Sequence, residues 1–297
     1  MEALLNALSR IDAWRRRPAV RRGAYALAAI GFVGGLVASI HARPSLVQGL
    51  DLRFALAAFA IYSPAIMMLN AFAMRAAAAA AGADIAIGPA ARLAILANAA
   101  NQLPLPGGAA VRVSAYCDAG ATFASATRMT FVYGVIWLAM GLIVAAICAA
   151  RLDAYSLALS LAVASAALLV VGARLASRQS STRTEVVKSI VYGLISAISY
   201  VGGLWLAVGA LGGATPIDAL GVVAVAGVIG SAASIAPGGL GVREASAAAI
   251  AILVGMDPAL AFSATALLHL ITAAAYGVAA VAIASAHGSA NPASEAL

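Results

Sequence analysis

Charge is what this sequence has least of. Asp, Glu, Lys and Arg make up 10% of its 297 residues, against about a quarter in a soluble domain, and that shortage excludes a water-soluble globular protein. Lysine is almost missing: Lys188 stands alone, and 17 of the 18 basic residues are arginine. The two cysteines, Cys117 and Cys148, are too few and too isolated for a disulfide framework or a thiolate metal site. His41, His269 and His287 lie far apart with no ligand spacing among them. No metal, no cofactor and no catalytic set is therefore expected. The glycine-rich stretches at 202–213 and 227–241 lack the strand–turn–helix setting of a nucleotide loop and read as close-packing surfaces. No basic, aromatic-studded soluble face is offered to nucleic acid. No cleavable leader is legible either: Arg15, Arg16, Arg17, Arg21 and Arg22 precede a long apolar run without a small-residue cleavage pattern.

What fills the chain is apolar. It is 64% hydrophobic with a mean hydropathy of +1.00. Alanine and glycine dominate, as expected where helices pack closely without a hydrophobic driving force between them. Apolar runs at 23–40, 54–80, 123–150, 152–174, 187–211 and 258–284 are each long enough for roughly 30 Å of hydrocarbon, the first one barely. The fold class expected is an all-α polytopic membrane protein with about six full spans. Residues 1–22 read as a cationic amphipathic segment on the cytoplasmic interface, with Leu4, Leu5, Leu8, Ile11 and Trp14 at helical spacing between arginines. A tail that serves only to orient the chain is the competing reading. Residues 23–285 then form a single transmembrane domain and 286–297 a short cytoplasmic tail.

The formal net charge of +7 fits a role in topology and in attraction to anionic lipid. With a cytoplasmic N-terminus, the span at 152–174 returns inward just before the second dense basic loop, which holds Arg174, Arg178, Arg183 and Lys188. That is what the positive-inside rule asks. Both termini are then cytoplasmic, and the alanine-rich composition associates the chain with a bacterial inner membrane.

One phrase occurs twice. Pro106-Gly107-Gly108-Ala109-Ala110-Val111-Arg112 and Pro237-Gly238-Gly239-Leu240-Gly241-Val242-Arg243 both read P-G-G-x-x-V-R. Proline lacks the N–H, and glycine has little preference for the helical well, so each phrase breaks a helix. Freed backbone groups are tolerated at membrane depth only against protein or a wet cavity. The surrounding segments, 88–120 and 217–256, fall into halves of about 10–18 residues, too short to span. They read as two re-entrant helical hairpins. Three full spans separate them, so they enter from opposite sides as an inverted repeat, with the breaks meeting near the midplane. Matched breaks of this kind point to a substrate path.

After each break a helix restarts with an arginine in its first turns. A helix start carries unpaired N–H groups and about half a positive charge, and an arginine fork beside it suits a phosphate or carboxylate. Arg112 and Arg243 are thus candidate anion ligands, with Gly107, Gly108, Pro237, Gly238, Gly239 and Gly241 shaping the breaks. Glu244 would pair with Arg112, Arg128 or a cationic headgroup. The competing reading makes these ionic pairs staples between helices. Asn98 and Asn101, three apart on one helical face, would contact a headgroup or tie helices together. Arg128 would reach the same cavity or snorkel to the interface. His269, mid-span in the last helix, would be a proton or headgroup contact or a satisfied core histidine.

Pro237-Gly238-Gly239-Leu240-Gly241-Val242-Arg243-Glu244 resembles the P-G-G-x-G-x-x-E signature of the flippase-like transmembrane family named for the lysylphosphatidylglycerol synthases. Asn98, Pro104, Gly108 and Arg112 are similar to that family's Asn…Pro…Gly…Arg pattern, and Arg128 stands where it often has an arginine. The resemblance covers roughly residues 20–285. Two places depart from it: Ala109 and Phe131 stand where the family often has acids, which removes the usual ionic partners of Arg112 and Arg128. The best-known members fuse this domain to a soluble aminoacyl-transfer domain, which these 297 residues do not contain. The resemblance therefore implies binding or translocation of a lipid made by a separately encoded enzyme.

The function expected is that of an inner-membrane lipid flippase or lipid-headgroup transporter for a phosphate-bearing lipid: a phospholipid, aminoacyl-lipid, glycolipid or polyprenyl phosphate. Its expected partners are that anionic or phosphate-bearing lipid and a separately encoded lipid-synthesising enzyme. Two rivals stand beside it, an intramembrane transferase acting on a lipid-linked substrate and a non-transporting lipid-binding scaffold.

Overall fold

A computed structural model describes residues 18–101, 107–177, 183–233 and 239–288. Most of the expected amphipathic segment at 1–22 and of the tail at 286–297 lies outside them. Among the described residues the chain is all-helical, without a strand. The helices are α1 (Pro18–Ala42), α2 (Ser45–Gln48), α3 (Leu52–Ala81), α4 (Ile87–Ala100), α5 (Gly107–Asp118) and α6 (Phe123–Arg151). There follow α7 (Tyr155–Ala176), α8 (Arg183–Ala210), α9 (Ile217–Ala233), α10 (Val242–Leu253) and α11 (Pro258–Gly288).

Among the described residues five helices, α3, α6, α7, α8 and α11, are long and apolar enough to cross a membrane. They coincide with the runs expected at 54–80, 123–150, 152–174, 187–211 and 258–284. The run at 23–40 falls within the 25-residue α1, of which the stretch Ala29–Ala42 has described side chains and is apolar. Val33, Val37, Leu159, Val163, Ile198, Val278 and Val281 point outward, and an apolar exterior of this extent is solvated by lipid rather than water. The architecture is that of a multi-pass membrane protein.

Small side chains set the spacing. α3 buries Ala71, Ala73, Ala76, Ala77, Ala78, Ala80 and Ala81, which lets neighbouring backbones approach. Hydroxyls add directional ties between helices: Ser125 Oγ donates to the Ala81 carbonyl at 2.6 Å and Ser165 Oγ to the Ala139 carbonyl at 2.9 Å. α6 packs on both α5 and α9, and α11 on both α4 and α10. These two long helices therefore contact both short-helix pairs that carry the repeated phrase.

One turn of α3 is wider than the rest. Pro64 has no N–H to give the Ala60 carbonyl, and its ring crowds that turn. Residues Ala58–Tyr62 respond with a π-helical turn, in which the Ser63 N–H reaches back to Ala58. Ser63 Oγ donates to the same carbonyl at 2.9 Å. The bulge turns the Tyr62 ring onto the α8 backbone: a Cβ on Gly203 would stand 2.6 Å from it.

At one end of the bundle the loop charges pair across helices. Arg43 bonds Asp257 at 2.8 Å, joining α1 to α11, and Arg151 meets Asp218 at 3.2 Å, joining α6 to α9. The Asp51 N–H donates to the Ala210 carbonyl, closing α3 onto α8. Asp257 also caps α11, accepting the Ala259 and Leu260 N–H groups at 2.8 and 3.3 Å. Partial burial works against its charge, but those N–H groups and Arg43 outweigh burial and hold its carboxyl below the ordinary value. The cap is therefore complete above the ordinary carboxylate range and is lost only as pH falls through the lowered native value. Replacing Asp257 by Ala is expected to cost about 1 kcal/mol at neutral pH, a fall of about 2–4 °C in unfolding temperature in detergent. Thermal melts at neutral pH and at about pH 3 should show the difference shrinking in acid.

Candidate functional site

The first repeat phrase closes α4 onto α5. A Cβ on Gly107 would lie 2.6 Å from the Ala100 carbonyl oxygen, and one on Gly108 would overlap the Ala97 carbonyl and the Asn101 amide. Backbone atoms cannot move aside, so only glycine fits here. The freed donors are met from within: Asn101 Oδ1 accepts the Gly108 N–H at 3.1 Å. Asn98 Nδ2 donates to the Ala94 carbonyl of its own helix at 2.8 Å.

Arg112 follows on α5. It is half-buried, and its Nε is sealed in the interior without a hydrogen-bond partner. Its charge faces the phenols of Tyr116, Tyr133 and Tyr276. Two of these are fixed by other bonds: Tyr116 donates to the Met74 carbonyl at 3.3 Å, and Tyr276 accepts from Asn70 Nδ2 at 2.9 Å. No carboxylate forms an ion pair with Arg112 among the described residues.

The second phrase ends in a tighter turn. Gly239 and Gly241 have φ of 77° and 80°, in the left-handed region that favours glycine. Gly241 caps α10, and its N–H donates to Glu244 Oε2 at 2.6 Å, the reach-back of a capping box. The other carboxylate oxygen, Oε1, lies 3.1 Å from His269 Nδ1. Glu244 is 0% and His269 4% exposed. Arg243 points the other way, donating to the Tyr200 hydroxyl of α8 and resting on Gly227 of α9, where a Cβ would press its Cγ at 3.1 Å. Its charge also reaches Tyr62 at the π turn. Tyr62 lies within range of Tyr276, so phenols run between the surroundings of the two arginines.

The expected residues are thus placed unequally. Gly107 and Gly108 open α5, and Gly239 and Gly241 lead into α10; Pro237 and Gly238, with Pro104 and Pro106, lie outside the described residues. Glu244 does not pair with Arg112 or Arg128. It turns inward to Gly241 and His269, because a carboxylate at the third position of a helix bonds the cap N–H behind it. The amides of Asn98 and Asn101 likewise bond backbone. At both helix starts a side chain already takes one backbone donor. Arg128 is half-buried near the start of α6 and, like Arg243, is not without a partner.

Five tyrosines complete the site and were not among the expected residues. Tyrosine in a membrane protein normally marks the interface. Tyr62, Tyr133, Tyr200 and Tyr276 instead fall well inside the long apolar runs, and that position was the available signal. A small apolar cavity beside Tyr200, lined also by Trp137, Gly141 and Gly221, holds about 20 Å³. Among the described residues no group of three His, Cys, Asp or Glu side chains comes together.

The chain matches no family model, no curated protein and no solved structure. Its chemistry therefore has to be read from the geometry.

Asn101→Ala is expected to release the α5 start at a cost of about 1 kcal/mol, with Asn101→Asp retaining most of it. Gly108→Ala should be far more damaging, since its Cβ meets backbone. Thermal melts and yield of folded protein in detergent check both.

Proposed function

We propose that this chain is a membrane transporter of phosphate-bearing lipids, related in design to the flippase-like transmembrane domain of the lysylphosphatidylglycerol synthases. The observation that carries this reading is Arg112: a guanidinium among apolar helices, half-buried, with Nε unpartnered and no carboxylate paired to it. A charge so placed is costly unless an opposite charge joins it. A phosphate offers several acceptor oxygens and matches the guanidinium fork. Arg243, in the equivalent position of the second phrase, would be the second phosphate ligand, with the phenols of Tyr133, Tyr200 and Tyr276 as donors around the headgroup.

The layout accords with transport. Taking α3, α6, α7, α8 and α11 as crossings, three of them separate the α4–α5 pair from the α9–α10 pair. The two pairs then enter as re-entrant hairpins from opposite sides, an inverted repeat whose breaks lie at mid-depth. The cavity beside Tyr200, about 20 Å³, is far too small for a headgroup. Admission requires one hairpin to part from α6 or α11, the helices that touch both. Lipid tails would remain in the bilayer while the headgroup crosses between the arginines.

Purified protein in phosphatidylglycerol liposomes should exchange fluorophore-tagged phosphatidylglycerol or tagged polyprenyl phosphate between leaflets faster than empty liposomes, measured by dithionite quenching. Arg112→Ala should reduce the rate at least tenfold, which corresponds to about 1.4 kcal/mol, and Arg112→Lys should restore part of it. Wild-type protein that exchanges no phosphate-bearing lipid above the empty-liposome rate would sink the transport reading and favour the lipid-binding scaffold.

A further inference from the structure

The Glu244–His269 pair has no part in holding a phosphate, yet it is among the most deeply buried polar features of the molecule. Both carboxylate oxygens are used inside the protein: Oε2 accepts the Gly241 N–H at 2.6 Å and Oε1 faces His269 Nδ1 at 3.1 Å. Glu244 is completely buried and His269 nearly so. A neutral imidazole donating Nδ1–H to the carboxylate leaves the pair with one net negative charge. Adding a proton converts it to an imidazolium–carboxylate, or the equivalent acid–imidazole, with no net charge.

The surroundings decide what such a proton does. On α10, Arg243 is the adjacent residue and carries its guanidinium to Tyr200 of α8. Glu244 is itself within electrostatic range of Tyr200, and Tyr62 of α3 lies near Arg243. On α11, Thr265 precedes His269 by one turn, is 1% exposed and has an unpartnered Oγ1, and Tyr276 follows two turns on. The α9 face beside Arg243 presents Gly227. Of the described side chains of α1, which also packs on α10, the titratable one is His41, exposed near its far end. Arg243, adjacent to Glu244 in sequence, places a full charge beside the pair, and it is shared with the proposed phosphate site.

We propose that Glu244 and His269 form a proton-binding site that couples phosphate-lipid movement to proton movement. The proposal rests on the transport reading above. A phosphate arriving at Arg243 brings negative charge next to the pair and favours proton uptake there. By linkage the proton favours the phosphate by the same factor, on the order of tenfold for a coupling of ordinary size. The pair also fastens the start of α10 to α11. A change in its charge therefore acts on the junction that has to part when the second hairpin moves, and lipid and proton cross together.

Two measurements test this separately. Difference infrared spectra of the full-length protein in phosphatidylglycerol vesicles, titrated over about pH 5 to 8, should contain a protonation change that vanishes in both Glu244→Gln and His269→Gln. Glutamine at 244 keeps an acceptor for the Gly241 N–H, so the α10 cap survives. A protonation change that persists in Glu244→Gln, or none in wild type, overturns the site. In the leaflet-exchange assay, wild-type rates with and without an imposed pH gradient should differ several-fold, while in Glu244→Gln the ratio should be about one. A wild-type ratio of one overturns the coupling while leaving lipid transport standing. Absence of lipid exchange from wild type sinks the transport reading and the coupling with it; the infrared titration still reads the proton site.

Discussion

A helix broken inside an apolar bundle has to satisfy its freed backbone groups from the protein itself, and this requirement organises the molecule. At both Pro-Gly-Gly phrases a side chain does so: Asn101 for the start of α5 and Glu244 for the start of α10. Each solution brings further constraints. Asn101 can reach Gly108 only if Gly107 and Gly108 have no side chain, since the α4 backbone lies where a Cβ would be. Glu244 is a carboxyl group with no access to solvent, and its second oxygen meets His269, a contact that binds α10 to α11. Once the helix starts are capped internally, the guanidiniums of Arg112 and Arg243 carry the positive charge facing the interior.

The tyrosines and the π turn belong to the same arrangement. A phenol can stand beside a guanidinium in an apolar setting, offering a polar edge without adding a carboxylate that would neutralise it. Tyr62, on the π turn ahead of Pro64, lies within electrostatic range of Arg243, and Gly203 leaves room for its ring. Tyr116 and Tyr276 are held by the Met74 carbonyl and the Asn70 amide. Positions far apart in sequence thus fix the orientation of the groups around two arginines that share one sequence phrase.

The long helices were legible from apolar run length alone, because hydrocarbon thickness sets that length. The breaks were legible because proline and glycine act through local sterics. The partners were not. Glu244 was expected to meet an arginine or a cationic headgroup, and nothing local shows that the residue 25 positions later, His269, would be brought to it. Asn98 and Asn101 carried an ambiguous signal, since an amide serves a headgroup or a backbone carbonyl equally well. The tyrosine surroundings depend on which faces of α3, α6, α8 and α11 meet, and hydropathy periodicity is weak in helices apolar on nearly every side.

The central claim is that Arg112 and Arg243 hold the phosphate of a membrane lipid. Native mass spectrometry with lipid analysis on gently purified wild type and on Arg112→Ala and Arg243→Ala tests it most directly. A phosphate-bearing lipid class enriched in wild type and depleted in both variants, at equal folded yield, is the result the account predicts. Identical lipid content in all three proteins would contradict it and make the two arginines structural members of the bundle.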